Sequence, residues 1–277
     1  MTSDIVVIGS CNVDLISYSD HFPKPGETLC GSSFSVGCGG KGANQCVMAA
    51  KLGANVAMIS SVGDDNFGEM FLKEFKKENV NIECMHIEAG ISTGVAQILV
   101  NKEGENCIII VKGANGRLTT EHVQQKCADV IKKAKVVMFQ LEIDLNVTLT
   151  SIKFCKENGC FTIFNPAPAV SNLSDDFLKY TTLLCCNETE AEILSGLQVD
   201  SPEKRQGAIK GLLQKGPEYV VLTLGSQGAM FAQKGGSIQH VVPDQSVVPD
   251  KIVDTTVSET ICDFYTVSQT GWDPRQN

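Results

Sequence analysis

The sequence predicts an α/β fold: a doubly wound, mostly parallel sheet flanked by helices, with a small β-sheet lid. Most of six apolar, β-branched runs are nearly continuous rather than alternating, which is typical of strands buried on both faces of a parallel sheet. Helical patterns lie between these runs, and alternating strands and helices favour a doubly wound domain. The runs are IVVIG (5–9), VAMISSVG (56–63), VVMFQ (136–140), FTIFN (161–165), TLLCCN (182–187) and YVVLTLG (219–225).

Two stretches interrupt the alternation and predict the small sheet. TLCGSSFSVG (28–37) has a strand pattern, and TGVAQILVNKEGENCIIIVKGAN (93–115) has the pattern of a hairpin with a glycine turn. We expect a lid over a ligand site, formed from about 10–37 and 93–115 of a domain that spans 1–256. The remaining residues, 257–277, have no sustained period and are predicted to be an atypical tail.

One helix is predicted in detail. TTEHVQQKCADVIKKAK (119–135) has a polar start, apolar residues at helical spacing and lysines in its last turn, which suit the helix dipole. The string KGAN occurs at 41–44 and again at 112–115, but the flanking residues differ, so we interpret the repetition as chance.

Composition narrows the class of protein. The chain has 277 residues, 43% of them hydrophobic and 20% charged, as expected for a soluble globular protein of one or two domains. A formal net charge of −9 argues against nucleic acid or an anionic membrane as the main partner. The 12 cysteines and four histidines show neither CxxC nor metal-ligand spacing, which favours reduced thiols. Without a leader pattern or a membrane-spanning run, we expect a cytoplasmic protein, with nuclear access left open.

The densest chemical signal is VGCGGKGANQCVMAAKLGA (36–54). Its glycines let the backbone approach a ligand closely, and a helix predicted from about Ala43 points its first amides outward. Lys41 and Asn44 add a cation and an amide at the same place. The spacing matches neither a Walker A loop nor a dinucleotide fingerprint, so a plain turn before a helix stays open as an alternative.

Polar residues also follow the predicted strands. Asn12 and Asp14 lie two residues apart and share a face if the strand continues, where they suit hydrogen bonds to vicinal hydroxyls; an Asx turn is the alternative. Glu142 follows another buried run, at the carboxyl edge where open α/β sheets usually bind ligands.

Two further motifs have both a structural and a functional interpretation. Asn187 and Glu190 are predicted first as a helix N-cap with an acidic first turn, and alternatively as a phosphate and Mg²⁺ neighbourhood. TLGSQGAMF (223–231) predicts a tight turn that lets a nucleotide approach the backbone, or equally a plain hairpin.

These motifs, in this order between Ile5 and Thr256, resemble the ribokinase family of sugar kinases. The resemblance rests on GSCNVDLI, GGKGANQ, QLE, FNPAPA, CNETEAEIL, TLGSQG and VDTT. It implies an α/β domain whose β lid also forms a homodimer, and transfer of the γ-phosphoryl group of ATP to the 5-hydroxyl of D-ribose. Another furanose, fructose or a nucleoside stays open as the substrate.

The resemblance also implies roles for individual residues. It places Mg²⁺ with the help of Glu190 and begins a K⁺ site at Asp254 and the Thr256 carbonyl. The implied substrate-binding residues are Asn12, Asp14, Gly40, Lys41, Gly42, Ala43, Asn44 and Glu142. The implied nucleotide-binding residues are Asn187, Thr223, Leu224, Gly225, Ser226, Gln227 and Gly228.

The sequence departs from the family directly after VDTT. There the family continues into a Gly-Ala-Gly-Asp run at the start of a helix, whose amides form an anion hole and whose Asp takes the proton from the sugar hydroxyl. This chain has Val257, Ser258, Glu259 and Thr260 in those places, and Asp263 is three residues further on. We therefore assign no catalytic residue and expect impaired activity. The alternative is a non-catalytic protein that binds ribose or pairs with a complete enzyme.

Overall fold

The fold contains two sheets in the part of the chain that the computed structural model describes, residues 3–242. The strands are β1 Ile5–Ile8, β2 Asn12–Tyr18, β3 Ser33–Gly39, β4 Val56–Gly63, β5 Met85–Glu88, β6 Gly94–Val100, β7 Asn106–Val111, β8 Val136–Phe139, β9 Phe161–Phe164, β10 Leu183–Asn187, β11 Tyr219–Thr223, β12 Ala229–Gln233 and β13 Ile238–Val241. The helices are α1 Lys41–Lys51, α2 Asn66–Lys77, α3 Ala128–Lys133, α4 Leu145–Glu157, α5 Asp176–Lys179, α6 Glu188–Ser195 and α7 Pro202–Gln214.

The larger sheet has the strand order β13-β12-β11-β10-β9-β8-β1-β4-β5. Neighbouring strands in this order, from β11 across the sheet to β5, pair in parallel. β12 and β13 pair antiparallel at one edge. The six predicted runs correspond to β1, β4, β8, β9, β10 and β11. The predicted doubly wound, mostly parallel architecture is confirmed.

Both faces of the larger sheet are buried. Val6 and Ile8 of β1 belong to one apolar cluster with Phe139, whereas Val7 between them belongs to a second cluster with Met58. Because successive side chains of a strand point to opposite faces, each strand contributes to both cores. This explains why the strands of this sheet appear as continuous apolar runs in the sequence.

The smaller sheet has the order β3-β2-β6-β7. β2 pairs antiparallel with β3 and parallel with β6, and β6 and β7 form the predicted hairpin. The separate small sheet is therefore confirmed, although β3 begins at Ser33 rather than near Thr28. Several apolar side chains of this sheet are exposed, namely Phe34, Val36, Ile108, Ile109, Ile110 and Val111.

The predicted continuous helix over 119–135 is wrong in detail. A π-helical turn, His122–Lys126, precedes α3, and the Cys127 amide donates to the His122 carbonyl across this wider turn. A residue outside this helical segment also holds His122, because its Nε2 donates to the Cys84 carbonyl at 3.0 Å. The extra residue in the turn allows His122, Cys127 and Ile131 all to be buried.

The cysteines and the helices of residues 3–242 were also compared with the requirements for disulfides and for membrane spans. Cysteines between positions 3 and 242 form no disulfide, and most of them are buried. Over the same range, the helices are too short or too polar to cross a bilayer.

Candidate active site

Glu142 lies at the centre of one polar cluster. It follows β8, and its Oε2 accepts hydrogen bonds from Ser10 Oγ at 2.5 Å and from the Lys41 backbone amide at 2.8 Å. Ser10 follows the neighbouring strand β1, and Lys41 is the first residue of α1. The carboxylate therefore faces the positive end of the helix dipole, which stabilises its charge.

Asn12 joins this cluster through both ends of its amide. Its Nδ2 lies 3.5 Å from Glu142 Oε2, and its Oδ1 accepts from Asn115 Nδ2 at 2.8 Å. Asn115 also accepts from the Cys11 amide at 2.8 Å and donates to the Cys11 carbonyl at 2.9 Å. Asn115 is completely buried and therefore holds Asn12 in one orientation.

Sequence reasoning missed Ser10 and Asn115. Asn115 belongs to the second KGAN string and lies in the 3-10 segment Gly113–Arg117. Its partners Cys11 and Asn12 are more than 100 residues earlier in the chain, so its role has no local signal in the sequence.

Asp14 lies on β2, two residues after Asn12 and therefore on the same face of that strand. A strand does continue through this pair, as predicted, but that strand is β2 of the smaller sheet and not an extension of β1. Gly39 packs against Asp14, because a Cβ at Gly39 would overlap the Asp14 carboxylate. The half-buried carboxylate therefore lies beside the backbone that leads into α1.

Two glycines at the start of α1 permit this arrangement. Gly40 is the N-cap of α1 with φ 87°, a left-handed conformation that favours glycine. Gly42 lies so close to β1 that a Cβ would be 2.5 Å from the Ser10 amide nitrogen. The Ala43 amide donates to the Ser10 carbonyl at 2.9 Å, which fixes the helix start against the strand end.

Lys41 and Asn44 extend the same surface. Both side chains are partly exposed, one helical turn apart, at the N-terminal end of α1. The structure therefore brings Asn12, Lys41 and Glu142 together, with Asp14 and Asn44 alongside.

A second group lies at the ends of β10 and β11. In the register of these strands Asn187 pairs with Thr223, so the two motifs are neighbours. Asn187 is the N-cap of α6: its Oδ1 accepts from the Glu190 amide at 2.8 Å, and Glu190 Oε2 accepts from the Asn187 amide at 3.0 Å. The structure therefore contains the helix N-cap that the sequence predicts for this pair.

The TLGSQG motif forms the hairpin between β11 and β12. Gly225–Gln227 is a 3-10 turn, and the Leu224 amide donates to the Gly228 carbonyl at 2.7 Å. Gly228 has φ 88°, which favours glycine at this position. Ser226 lies at the exposed tip of the turn.

Arg205 of α7 connects this hairpin to the start of α6. Its guanidinium donates to Gln227 Oε1 at 2.9 Å and to Glu188 Oε1 at 2.6 Å, while Nε donates to the Val199 carbonyl at 3.0 Å. On the other side of the turn, His240 Nε2 donates to the Gln227 carbonyl at 3.0 Å. The hairpin is therefore held from two elements, a connection that the sequence motifs did not indicate.

Both groups lie at the carboxyl edge of parallel strands of one sheet, on either side of β9. Ligands usually bind at this edge in open α/β folds. The assigned roles of these residues stay predictions. Asp254 and Thr256, the predicted K⁺ site, lie outside the described residues.

Comparison with known proteins places this architecture in a class. A family model described as pfkB family carbohydrate kinase matches residues 2–257. The chain belongs to this family.

Its relatives within the family carry more particular names. Ribokinase of Mus musculus is 42% identical over 252 residues, covering 91% of this chain and 77% of the relative. Deoxyribokinase of Salmonella typhi is 40% identical over 238 residues, covering 86% of this chain and 77% of the relative. The structure of Arabidopsis thaliana ribokinase complexed with ribose and ATP is 25% identical with a TM-score of 0.86, covering 100% of this chain and 88% of that one. The chain is therefore a ribokinase-type member of the carbohydrate kinases.

Proposed function

We propose that the protein binds D-ribose and ATP and that its active form transfers the γ-phosphoryl group to ribose, giving ribose 5-phosphate. The observation that carries the proposal is the cluster of Asn12, Lys41 and Glu142, which joins the smaller sheet to the carboxyl edge of the larger one. Relatives named ribokinase match this chain over most of its length.

The proposed sugar side uses groups that suit vicinal hydroxyls. The Asp14 carboxylate accepts hydrogen bonds from hydroxyl groups, and the Asn12 amide both donates and accepts. Asn115 orients that amide, and Glu142 is held by Ser10 and the start of α1. Such preorientation reduces the entropy lost when a sugar binds.

The proposed nucleotide side is the pair of adjacent motifs at β10 and β11. A glycine-containing turn allows a nucleotide to approach the backbone, and the neighbouring Asn187 adds an amide. Glu190 would help to hold Mg²⁺ there, although its Oε2 also accepts from the Asn187 amide; Mg²⁺ sites usually combine one or two carboxylates with substrate phosphates and water. Mg²⁺ bound there would neutralise charge on the phosphates during transfer.

Activity of this chain is proposed to be strongly impaired. Val257 to Thr260 stand where the resemblance expects the anion hole and the general base. Loss of an anion-hole donor typically costs about 10²–10³ in rate, and loss of a general base about 10²–10⁴. We therefore expect at least a ~10⁴-fold reduction relative to a complete ribokinase.

A coupled ADP-release assay tests the activity, with ribose, ATP, Mg²⁺ and K⁺ on the full chain and on Asp263→Asn. We expect negligible turnover from both. Turnover close to that of a complete ribokinase, abolished in Asp263→Asn, would contradict the proposal and identify Asp263 as the base.

The sugar is tested separately by calorimetry, since binding does not require phosphoryl transfer. We expect D-ribose to bind more tightly than fructose or a nucleoside. A second candidate is 2-deoxyribose, because the Salmonella relative is named deoxyribokinase. Tighter binding of 2-deoxyribose than of ribose would favour that candidate.

The alternative from another class is a non-catalytic protein that holds ribose or pairs with a complete enzyme. Departure of residues 257–260 from the family pattern favours it. Stabilisation by ribose in thermal unfolding, without ADP release, would support this function. Stabilisation accompanied by turnover would support the enzyme.

We also propose a homodimer formed through the smaller sheet, and a cytoplasmic location. Four exposed apolar residues support the dimer, because the strand register puts them on one face of the smaller sheet and such a patch is typical of a protein interface: Phe34, Val36, Ile109 and Val111. Reduced cysteines support the location.

A further inference from the structure

Backbone groups at the crossing between the two sheets fix the orientation of the Asn115 side chain. The Cys11 amide donates to Asn115 Oδ1 at 2.8 Å, and Asn115 Nδ2 donates to the Cys11 carbonyl at 2.9 Å. Because an N–H group can only donate and a carbonyl oxygen can only accept, the reverse orientation of the Asn115 amide would place like groups together. Asn115 is completely buried, so bulk water does not relieve such a mismatch.

The orientation of Asn115 determines that of Asn12. The second hydrogen of Asn115 Nδ2 requires an acceptor, which is Asn12 Oδ1 at 2.8 Å. Asn12 Nδ2 therefore lies on the other side of its amide, 3.5 Å from Glu142 Oε2. A flipped Asn12 would place its oxygen against the Glu142 carboxylate, so both neighbours oppose the flip.

Gly94 of β6 permits the two amides to meet. It pairs with Asn12 in the register of β2 and β6, and a Cβ at Gly94 would overlap both Asn115 Nδ2 and Asn12 Oδ1. Asn115 lies in the 3-10 segment that follows β7. Chain segments from β2, β6 and the end of β7 therefore enclose this contact.

We propose that Asn115 is a positioning residue for sugar recognition, which makes Asn12 a hydrogen-bond donor to one of two vicinal hydroxyls of the sugar. The proposal rests on the proposed sugar side. One hydrogen of Asn12 Nδ2 faces Glu142, and among residues 3–242 the other has no partner, so it is left for a sugar oxygen. The Asp14 carboxylate can only accept. The two hydroxyls therefore have opposite roles: the one at Asn12 accepts, and the one at Asp14 donates.

The orientation of the Asn12 amide is tested first, without any ligand. Asn12 Nδ2 and the Lys41 backbone nitrogen both lie beside Glu142 Oε2, so their hydrogens are close together. We expect a nuclear Overhauser effect between these two groups in the full chain, and its loss in Asn115→Ala. Absence of the effect in the parent would overturn the proposal, whether or not ribose binds. The effect in a parent that binds no ribose would support the orientation and contradict the proposed function.

A double-mutant cycle on ribose affinity separates positioning from a general structural effect. Asn115→Ala should weaken ribose binding roughly tenfold in the parent, the equivalent of one hydrogen bond. In the Asn12→Ala background the same substitution should cost at most about twofold, because no amide is left to orient. Equal losses in both backgrounds would overturn the proposal.

The matched control is Thr162→Val. Thr162 is also completely buried, near the amino end of β9, and its hydroxyl accepts from the Thr182 amide at 2.8 Å. Like Asn115→Ala, the control should lower the urea midpoint, because it leaves a buried amide without its acceptor. Its ribose affinity should stay like that of the parent. A loss of affinity equal to that of Asn115→Ala would indicate general destabilisation and overturn the positioning role.

Matched sugar analogues test the donor role of Asn12 by calorimetry. The pairs are 2-deoxyribose with 2-deoxy-2-fluororibose, and 3-deoxyribose with 3-deoxy-3-fluororibose. Fluorine accepts weakly and cannot donate, so it should recover part of the lost affinity at the position that faces Asn12 and none at the position that faces Asp14. We expect recovery at one position alone in the parent, and its loss in Asn115→Ala. Recovery at both positions, or at neither, would overturn the donor assignment even if no variant folds.

Discussion

Gly42 allows α1 to lie directly against the end of β1. A Cβ at this position would be 2.5 Å from the Ser10 nitrogen and 2.7 Å from the Gly9 carbonyl carbon. Both are backbone atoms, which cannot move aside as a flexible side chain can. Gly207 in α7 is a matched contrast, because a Cβ there would meet no atom within 4 Å.

We predict opposite effects of alanine at these two helical glycines. Gly42→Ala should destabilise the protein by about 1–3 kcal/mol, the usual range for overpacking. Gly207→Ala should stabilise it by about 0.5–1 kcal/mol, because alanine has the higher helix propensity. Urea denaturation midpoints measure both. Equal midpoints for the two variants would contradict the close approach at Gly42.

Asp14 is the residue on which the proposed sugar specificity depends most directly. We predict that Asp14→Ala weakens ribose binding by about 1–3 kcal/mol, because sugar hydroxyls would lose a charged acceptor. The control is Asp129→Ala, which removes an exposed carboxylate on α3. Calorimetry should show parent-like affinity for the control alone. Unchanged affinity in Asp14→Ala would remove this residue from the site.

At the scale of elements, Arg205 joins three parts of the chain through one guanidinium. It connects α7 with the start of α6 and with the turn between β11 and β12. Its side chain is 13% exposed, so these bonds are shielded more than those of a surface ion pair. The connection fixes the hairpin that contains all of the proposed nucleotide residues except Asn187.

We predict that Arg205→Met weakens binding of a non-hydrolysable ATP analogue several-fold while leaving ribose affinity unchanged. Arg205→Lys should recover little, because lysine cannot form the same planar set of hydrogen bonds. Lys210→Met on the same helix is the control. Calorimetry with both ligands separates the effects; parallel losses for ribose and nucleotide would indicate general unfolding rather than positioning.

The elements differ in how well the sequence alone predicts them. Strands such as β4 were predicted because burial on both faces leaves a continuous apolar run in the chain itself. The π-helical turn at His122 was not, because it depends on a bond to Cys84, 38 residues earlier. Asn115 likewise accepts a hydrogen bond from the Cys11 amide, 104 residues earlier, and a local sequence pattern cannot predict a contact between such distant residues.

For the molecule as a whole, the smaller sheet is the surface with most exposed apolar side chains in the described range. Ile109 is 63% exposed and Phe34 62%. Residues of this kind usually become buried in an interface. In the larger sheet, by contrast, the apolar side chains on both faces are already buried in the two core clusters.

We predict a dimer in analytical ultracentrifugation and a monomer for Ile109→Lys, because a buried lysine without a partner opposes association. Leu52→Lys is the control, since Leu52 is also exposed, at 54%, but lies at the end of α1. The control should remain dimeric. A parent chain that sediments as a monomer at micromolar concentration would contradict the interface.

The chain passes from β1 to β2, and so from one sheet to the other, through residues 9–11. Asn12 and Asp14 therefore belong to the smaller sheet, whereas Lys41 begins α1 and Glu142 follows β8 of the larger sheet. A sugar held by all four would connect the two sheets in the manner of a removable cross-link. Occupancy would then appear as stiffness: amide hydrogens of β2, β3, β6 and β7 would exchange more slowly with solvent, while those of the already buried central strands would hardly change.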